Sequence, residues 1–279
     1  MRHVQQACDV SERRACQTLG VARSTFRYES IAPDDQELIA LLAELRVEFP
    51  TWGYRKLTGV LKERGHLVNH KRVYRIWKAQ GWQRPQPRRK QDKPRGARAN
   101  ACHVRAAKMG NHVWAVDFVT DHTHEGKPLK ILTVLDEYTR EALAVEVRRT
   151  MGQKDVGEVL MGLFKERGAP EFVRSDDGGE FAGELIGQSL KECGSEVALI
   201  APRSPWQNGK NERFNGILSQ EFLSREVWGN LKEAQVLCEQ WRKRYNEVRP
   251  HGSLGMMTPA AYAEQARQEG RWRSVQSVE

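Results

Sequence analysis

The sequence predicts an α/β protein with a mixed five-stranded sheet and flanking helices, preceded by small all-α units of helix-turn-helix type. Three observations carry this expectation. Residues up to about 83 show helical periodicity; a basic, proline-rich stretch without periodicity follows; from His112 onward, five short apolar runs are interleaved with helical patterns. Three strands followed by alternating helix and strand give a mixed sheet covered by helices.

Residues 1–30 read as the first unit. Ser11 to Thr18 has the pattern of a helix, Gly20 of a turn, and the following residues to Tyr28 of a second short helix, with Ala15, Leu19, Val21 and Phe26 able to close a small core. Arg23, Ser24, Thr25 and Arg27 stand where a recognition helix presents polar side chains to a DNA groove. A structural helical hairpin has the same pattern. Residues 34–83 read as a second helical DNA-binding unit of helix-turn-helix or winged-helix type. Leu38, Leu41, Leu42, Leu45 and Phe49 recur at helical spacing until Pro50 stops the helix. A helix from Tyr54 to Glu63 follows, then one from Lys71 to Gln80 with Val73, Ile76 and Trp77 inward. Its other face carries Lys71, Arg72, Arg75 and Lys78, and only this basic face speaks for DNA, since packing explains the apolar positions.

Residues 84–107 read as a linker. From Arg84 to Lys108 there are nine basic residues, Arg88, Arg89 and Lys90 among them, against the single acid Asp92, with prolines at 85, 87 and 94. Such a run serves as a solvated tether or as a track for phosphates. Residues 108–228 read as the catalytic core. Val113 to Val119 is apolar on both faces except for Asp117, as in a central strand; Lys130 to Leu135 and Glu141 to Val147 are the next strands. A helix from Lys154 to Arg167, a strand from Glu171 to Arg174, a helix near 185–193 and a strand from Val197 to Ile200 follow. The last core helix begins near Lys210, with Phe214, Ile217, Leu218 and Phe222 facing inward. Residues 229–279 read as a C-terminal helical extension and tail.

The formal charge of +9 favours a polyanionic partner. No stretch approaches the roughly 18 apolar residues of a membrane span, and the N-terminus lacks the apolar segment of a signal peptide, so the expectation is a cytoplasmic, nucleoid-associated protein. Five scattered cysteines without a C-x-x-C pair argue against a disulfide framework and a zinc site. His122 and His124 have no cysteine partner and do not alter that.

Three acids carry the chemistry. Asp117 lies within a strand, Asp176 directly follows one, and Glu212 falls in the first turn of a helix. Each alone has an ordinary structural use: a satisfied buried carboxylate, a turn residue, a favourable helix N-terminal charge. Together they form a hard-oxygen set suited to Mg²⁺, with Mn²⁺ as substitute. Two such ions would activate an attacking oxygen and stabilise the leaving one in an in-line phosphoryl displacement.

Asp117 and Asp176 are separated by 58 residues, and Asp176 and Glu212 by 35. This spacing resembles the D, D-35-E signature of retroviral integrases and bacterial transposases. The runs Trp114-Ala115-Val116-Asp117-Phe118, Ser175-Asp176-Asp177-Gly178, Ser204 to Phe214, and Tyr245-Asn246 through Arg249-Pro250-His251 to Thr258-Pro259 resemble the OrfB-type transposases of the IS-three family of insertion sequences. The resemblance spans nearly the whole chain, including the patch Pro50, Gly53, Tyr54, Arg55. It implies a ribonuclease-H-like fold, two Mg²⁺ ions on the three acids, release of a 3′-hydroxyl at the element's end, and transfer of that hydroxyl to another phosphodiester. It also implies a homo-oligomer on DNA, terminal inverted repeats and a target duplex as substrates, an upstream-frame product joined by frameshifting, and DNA contact from Arg55, Lys56, Arg203, Asn208, Lys210, Arg213, Arg249 and His251. Asp177 stands where relatives often carry Asn or Gln, and Ser219 where many carry a cation seven residues after Glu212. A catalytically dead DNA-binding regulator and a purely hydrolytic nuclease are the competing readings, and strand transfer separates both from a transposase.

Overall fold

The computed structural model describes residues 8–28, 34–83, 106–175, 187, 190–199 and 209–273. Its contacts divide the chain into residues 1–44 and 45–279.

In the first unit, α1 (Glu12–Thr18) and α2 (Arg23–Arg27) flank the turn at Gly20, whose φ of 63° suits a residue without Cβ. Ser11 caps α1 by accepting from Arg14 N at 3.4 Å. The inward residues are Ala15 and Cys16. Leu19, expected in this core, is instead 47% exposed. It occupies the C-cap of α1, where the chain leaves the helical spiral on which the expectation rested.

Helix α3 (Gln36–Glu48) ends in the second unit, which continues with α4 (Tyr54–Glu63) and α5 (His70–Ala79). Phe49 stacks on Trp52 with ring centroids 3.9 Å apart, and Leu57, Val60, Leu61, Val73, Ile76 and Trp77 are buried. The apolar stripe of α5 thus turns inward, and Lys71, Arg75 and Lys78 remain exposed.

The sheet comprises β1 (Val113–His122), β2 (Pro128–Asp136), β3 (Ala142–Arg148), β4 (Phe172–Ser175) and β5 (Glu196–Leu199) in the order β3-β2-β1-β4-β5. β1 pairs antiparallel with β2 and parallel with β4, so it is central, as its two-sided apolar sequence requires. Alternation along β1 sends Trp114 and Val116 to the face covered by α6 (Gln153–Arg167), where Val156, Leu160 and Phe164 pack against them. Val119, of the opposite parity, joins the core beneath α7 (Gly209–Glu221) and α8 (Leu231–Glu247), built on Ile131, Leu135, Phe214, Leu218, Trp228 and Cys238. Asp117 shares that parity. A last helix, α9 (Pro259–Gln268), opens on the Thr258 cap, whose hydroxyl accepts from Ala261 N. None of the described helices is long and apolar enough to cross a membrane.

Candidate active site

Asp117 is half-buried on β1, opposite Thr133 of β2. Its Oδ1 accepts from the Phe118 amide at 2.8 Å, and its Oδ2 accepts from Asn215 Nδ2 of α7 at 2.8 Å. The Thr133 hydroxyl lies 3.0 Å from Asn215 Oδ1 and 3.1 Å from the Asp117 carbonyl oxygen; its single proton serves one of them at a time. Asn215 therefore bridges the strand and the helix. Glu212 is exposed and three residues earlier on α7, on the same side as Asn215. The helix that carries Glu212 in its first turn is thus hydrogen-bonded to Asp117 one turn further on.

Asp176 lies outside the described residues, but the strand leading to it is defined. β1 and β4 pair Trp114 with Val173 and Ala115 with Arg174. Arg174 is two positions before Asp176, just as Ala115 is two before Asp117.

A buried ion cluster stands behind these elements. Glu137, in the turn after β2, is 1% exposed at its side chain; Arg174 Nη1 pairs with its Oε1, and Lys210 Nζ lies 3.0 Å from its Oε2 in ion-pair range without hydrogen-bond alignment. One carboxylate thereby ties β4 to the first turn of α7. The neighbouring Asp136 accepts the amides of Asn111, Tyr138 and Thr139 at 2.7–2.9 Å, while its burial pushes its carboxyl above the usual range.

At the other end of α7, Glu221 accepts from Trp52 Nε1 at 2.9 Å, Lys56 Nζ at 2.7 Å, and Arg249 Nε and Nη2 at 2.8 and 2.7 Å. Burial alone would raise this carboxyl, but Arg249 and Lys56 more than offset it and bring it down to about 2. Lys56 is itself lowered by burial and by Arg249. His251 is pushed down to about 4, first by burial and then by the positive field of Arg249, Arg140, Arg213 and Lys56, so it is neutral at neutral pH.

The residues expected to touch DNA divide accordingly. Arg23, Ser24, Thr25 and Arg27 are exposed on α2, and Arg23 and Arg27 each donate to Glu12 at 2.9 Å. Arg55 is held against the Tyr54 hydroxyl at 3.1 Å; Lys71 and Arg75 are exposed on α5, with Arg72 half-buried. Arg213 is exposed on α7. Lys56 and Arg249 pair with Glu221 and Lys210 with Glu137, so each of these three cations has a carboxylate partner within the protein. Arg88, Arg89, Lys90, Arg203 and Asn208 lie outside the described residues. Sequence reasoning missed Asn215, Glu137 and Glu221. The available signals were an amide one turn after Glu212, and an arginine inside the short β4 that needed a buried acid.

Known proteins resemble the chain throughout. Residues 107–205 and 193–259 match integrase core domain families, and residues 33–90 match an HTH-like domain family. A chain of the simian T-cell lymphotropic virus intasome, 17% identical, superposes over 85% of this chain and 78% of its own with a TM-score of 0.51. The fold is therefore the ribonuclease-H-like one of integrase cores, preceded by helix-turn-helix-like helices, and the class is that of polynucleotidyl transferases. The insertion element IS476 protein of Xanthomonas euvesicatoria is 34% identical over 94% of this chain and 75% of its own length; that of IS407 from Burkholderia multivorans is 33% identical over 94% of both. The transposase InsD of insertion element IS2 from Escherichia coli is 29% identical over 83% of this chain and 80% of its own. The chain belongs to the family of insertion-element transposases.

Proposed function

We propose that the chain is a transposase of the OrfB type of the IS-three family, and that Asp117, Asp176 and Glu212 are its catalytic carboxylates. The observation that carries this reading is the Asn215 bridge, which fixes α7 against Asp117 one turn from Glu212. The shared register of Ala115 and Arg174 supports including Asp176. The donor set is carboxylate oxygen, which fits Mg²⁺ or Mn²⁺. Two such ions, when bound, supply charge neutralisation at the reacting phosphate.

In the first reaction water attacks a phosphodiester at the element's end, one P–O bond forming as another breaks, and a 3′-hydroxyl is released. In the second that hydroxyl attacks another phosphodiester, again with one bond exchanged for one. The protein's contribution is position: β1 carries Asp117, β4 ends at Ser175 directly before Asp176, and α7 presents Glu212 from an exposed shoulder that a DNA backbone can approach. Sequence reading falls to α2 and to the basic face of α5, with phosphate contact along residues 84–107. A homo-oligomer brings two terminal repeats together with the target duplex, and a frameshift fusion to an upstream frame provides the full-length enzyme.

Asp117→Asn, Asp176→Asn and Glu212→Gln should each reduce cleavage and joining of terminal-repeat DNA by about 10³-fold or more, with DNA binding retained. Asp177→Asn should be mild. Near-normal Mg²⁺-dependent strand transfer in any of the three would remove that residue from the site.

A further inference from the structure

Beside the candidate active site, on the opposite shoulder of α7, lies a cleft of about 580 Å³. The buried stripe of α7 is Asn211, Phe214 and Leu218. At 100° per residue, Glu212 and Asn215 fall to one side of that stripe and Lys210, Arg213, Ile217 and Glu221 to the other. The cleft is lined by five cations, Lys56, Arg140, Lys210, Arg213 and Arg249, against the acid Glu221. Glu137, which pairs with Lys210, lowers the excess to +3. Lys56 and Arg249 share the single charge of Glu221 and keep one of these three charges; the other two are Arg140 and Arg213, neither of which forms an ion pair among the described residues.

Arg140 is the unusual member. It is half-buried and follows the turn after β2 with a φ of 63°, a conformation that an L residue with a bulky side chain adopts at a cost. Burial lowers the pKa of its guanidinium from the usual arginine value, yet arginine stays charged in proteins. Glu137 and Asp136 lend this guanidinium some favourable field, but among the described residues no carboxylate pairs with it, so its partly desolvated donors are left for an anion in the cleft to satisfy. A guanidinium fork suits phosphate oxygens, and an exposed Arg213 at the same cleft supplies a second one.

We propose that this cleft is a phosphodiester-binding site in which Arg140 and Arg213 grip the DNA backbone where it leaves the catalytic carboxylates across α7. It rests on the transposase reading and goes beyond it in assigning Arg140, in reserving Lys56 and Arg249 for the scaffold, and in giving the DNA an exit side. His251 is a built-in reporter, because its ring sits in the field of both arginines and titrates at about 4; a bound phosphate cancels part of that field.

The test uses the full chain with histidine-labelled side chains, a duplex of unrelated sequence, and inorganic phosphate as the small-anion probe. Arg140→Gln and Arg213→Gln should each reduce the magnitude of the slope of log affinity against log salt by about 0.9, and the pair by about 1.8. Duplex should move the His251 titration upward in the wild type and leave it in place in the pair variant. If Arg140→Gln fails to fold, the exposed Arg213→Gln decides through its own slope. Wild-type binding with unchanged slopes and an unmoved His251 would overturn the cleft and leave the transposase reading standing. A His251 response to phosphate alone, with no slope change on duplex, would overturn it in favour of a small-anion site. Absence of any duplex binding by the wild type would overturn the underlying reading as well.

Discussion

Replacing Arg249 by Met tests whether this cation serves the scaffold or the DNA. In the wild type it donates two charge-assisted hydrogen bonds to Glu221, at 2.8 and 2.7 Å, from a side chain that is 6% exposed. Removing one partner of a buried pair typically costs about 3–5 kcal/mol. Lys56 and Trp52 still hold Glu221 at 2.7 and 2.9 Å in the variant, which puts the loss near the lower end, about 3 kcal/mol. For a unit of this size that corresponds to a fall of about 6–12 °C in Tm. The pH dependence gives a second reading. Glu221 titrates at about 2 rather than its ordinary 4.5, so its contribution is fully present above pH 4.5 and is lost as pH falls towards 2. In Arg249→Met the folded-state value rises toward the ordinary one, so less stability remains to be lost across that window. Urea unfolding of wild type, Arg249→Met, Glu221→Gln and the double variant at pH 7 and at pH 3.5 completes a double-mutant cycle. A variant within about 1 kcal/mol of wild type, or one equally destabilised with and without Glu221, would refute the ion cluster and return Arg249 to the DNA surface.

Asn215→Ala removes the hydrogen bond to Asp117 Oδ2, and the loss of such an outer support is expected to cost about 10–100-fold in strand transfer and to raise the Mg²⁺ concentration needed for half-maximal activity, with duplex affinity unchanged. Asn215→Asp should be worse, since it sets a second carboxylate beside the first; an Ala variant with wild-type metal dependence would show the bridge to be idle. Changing Arg88, Arg89, Lys90, Lys93 and Arg95 together to Gln should reduce the magnitude of the salt slope by about 4 on any duplex if all five reach phosphate. An unchanged slope would make residues 84–107 a tether.

The elements of the core were legible because their periods are local. Val113 to Val119 announces a central strand by being apolar on both faces, and α6 and α7 announce themselves by stripes at helical spacing. The register and the strand order were not legible, since nothing in an apolar run names its neighbour. The site divides in the same way. Asp117 and Glu212 stood out as acids at the edge of apolar patterns, whereas Asn215 reaches Asp117 across 98 positions and Lys56 reaches Glu221 across 165. Arginine and lysine in a basic chain invite a reading as phosphate contacts. Whether a given cation already has a buried carboxylate is decided by tertiary contacts, and those of Lys56, Lys210 and Arg249 with Glu221 and Glu137 were not legible in the sequence.

Those same contacts explain how an exposed carboxylate can be positioned well enough for catalysis. Glu212 is exposed, so packing does not hold its side chain, and under the proposed catalytic role the helix that bears it has to be rigid instead. α7 is fixed at three heights: Lys210 on Glu137 at its start, Asn215 on Asp117 in the middle, and Glu221 on Lys56 and Arg249 at its end. The pins differ in kind. The middle one is an amide, which joins the helix to Asp117 without adding a charge beside it. The outer two are ionic, Lys210 with Glu137 and Glu221 with Lys56 and Arg249. The first of them also grips Arg174 on β4, so a displacement of Glu137 would move the strand before Asp176 and the turn before Glu212 together. A single buried acid thus links the end of β4 to the first turn of α7, which carries Glu212.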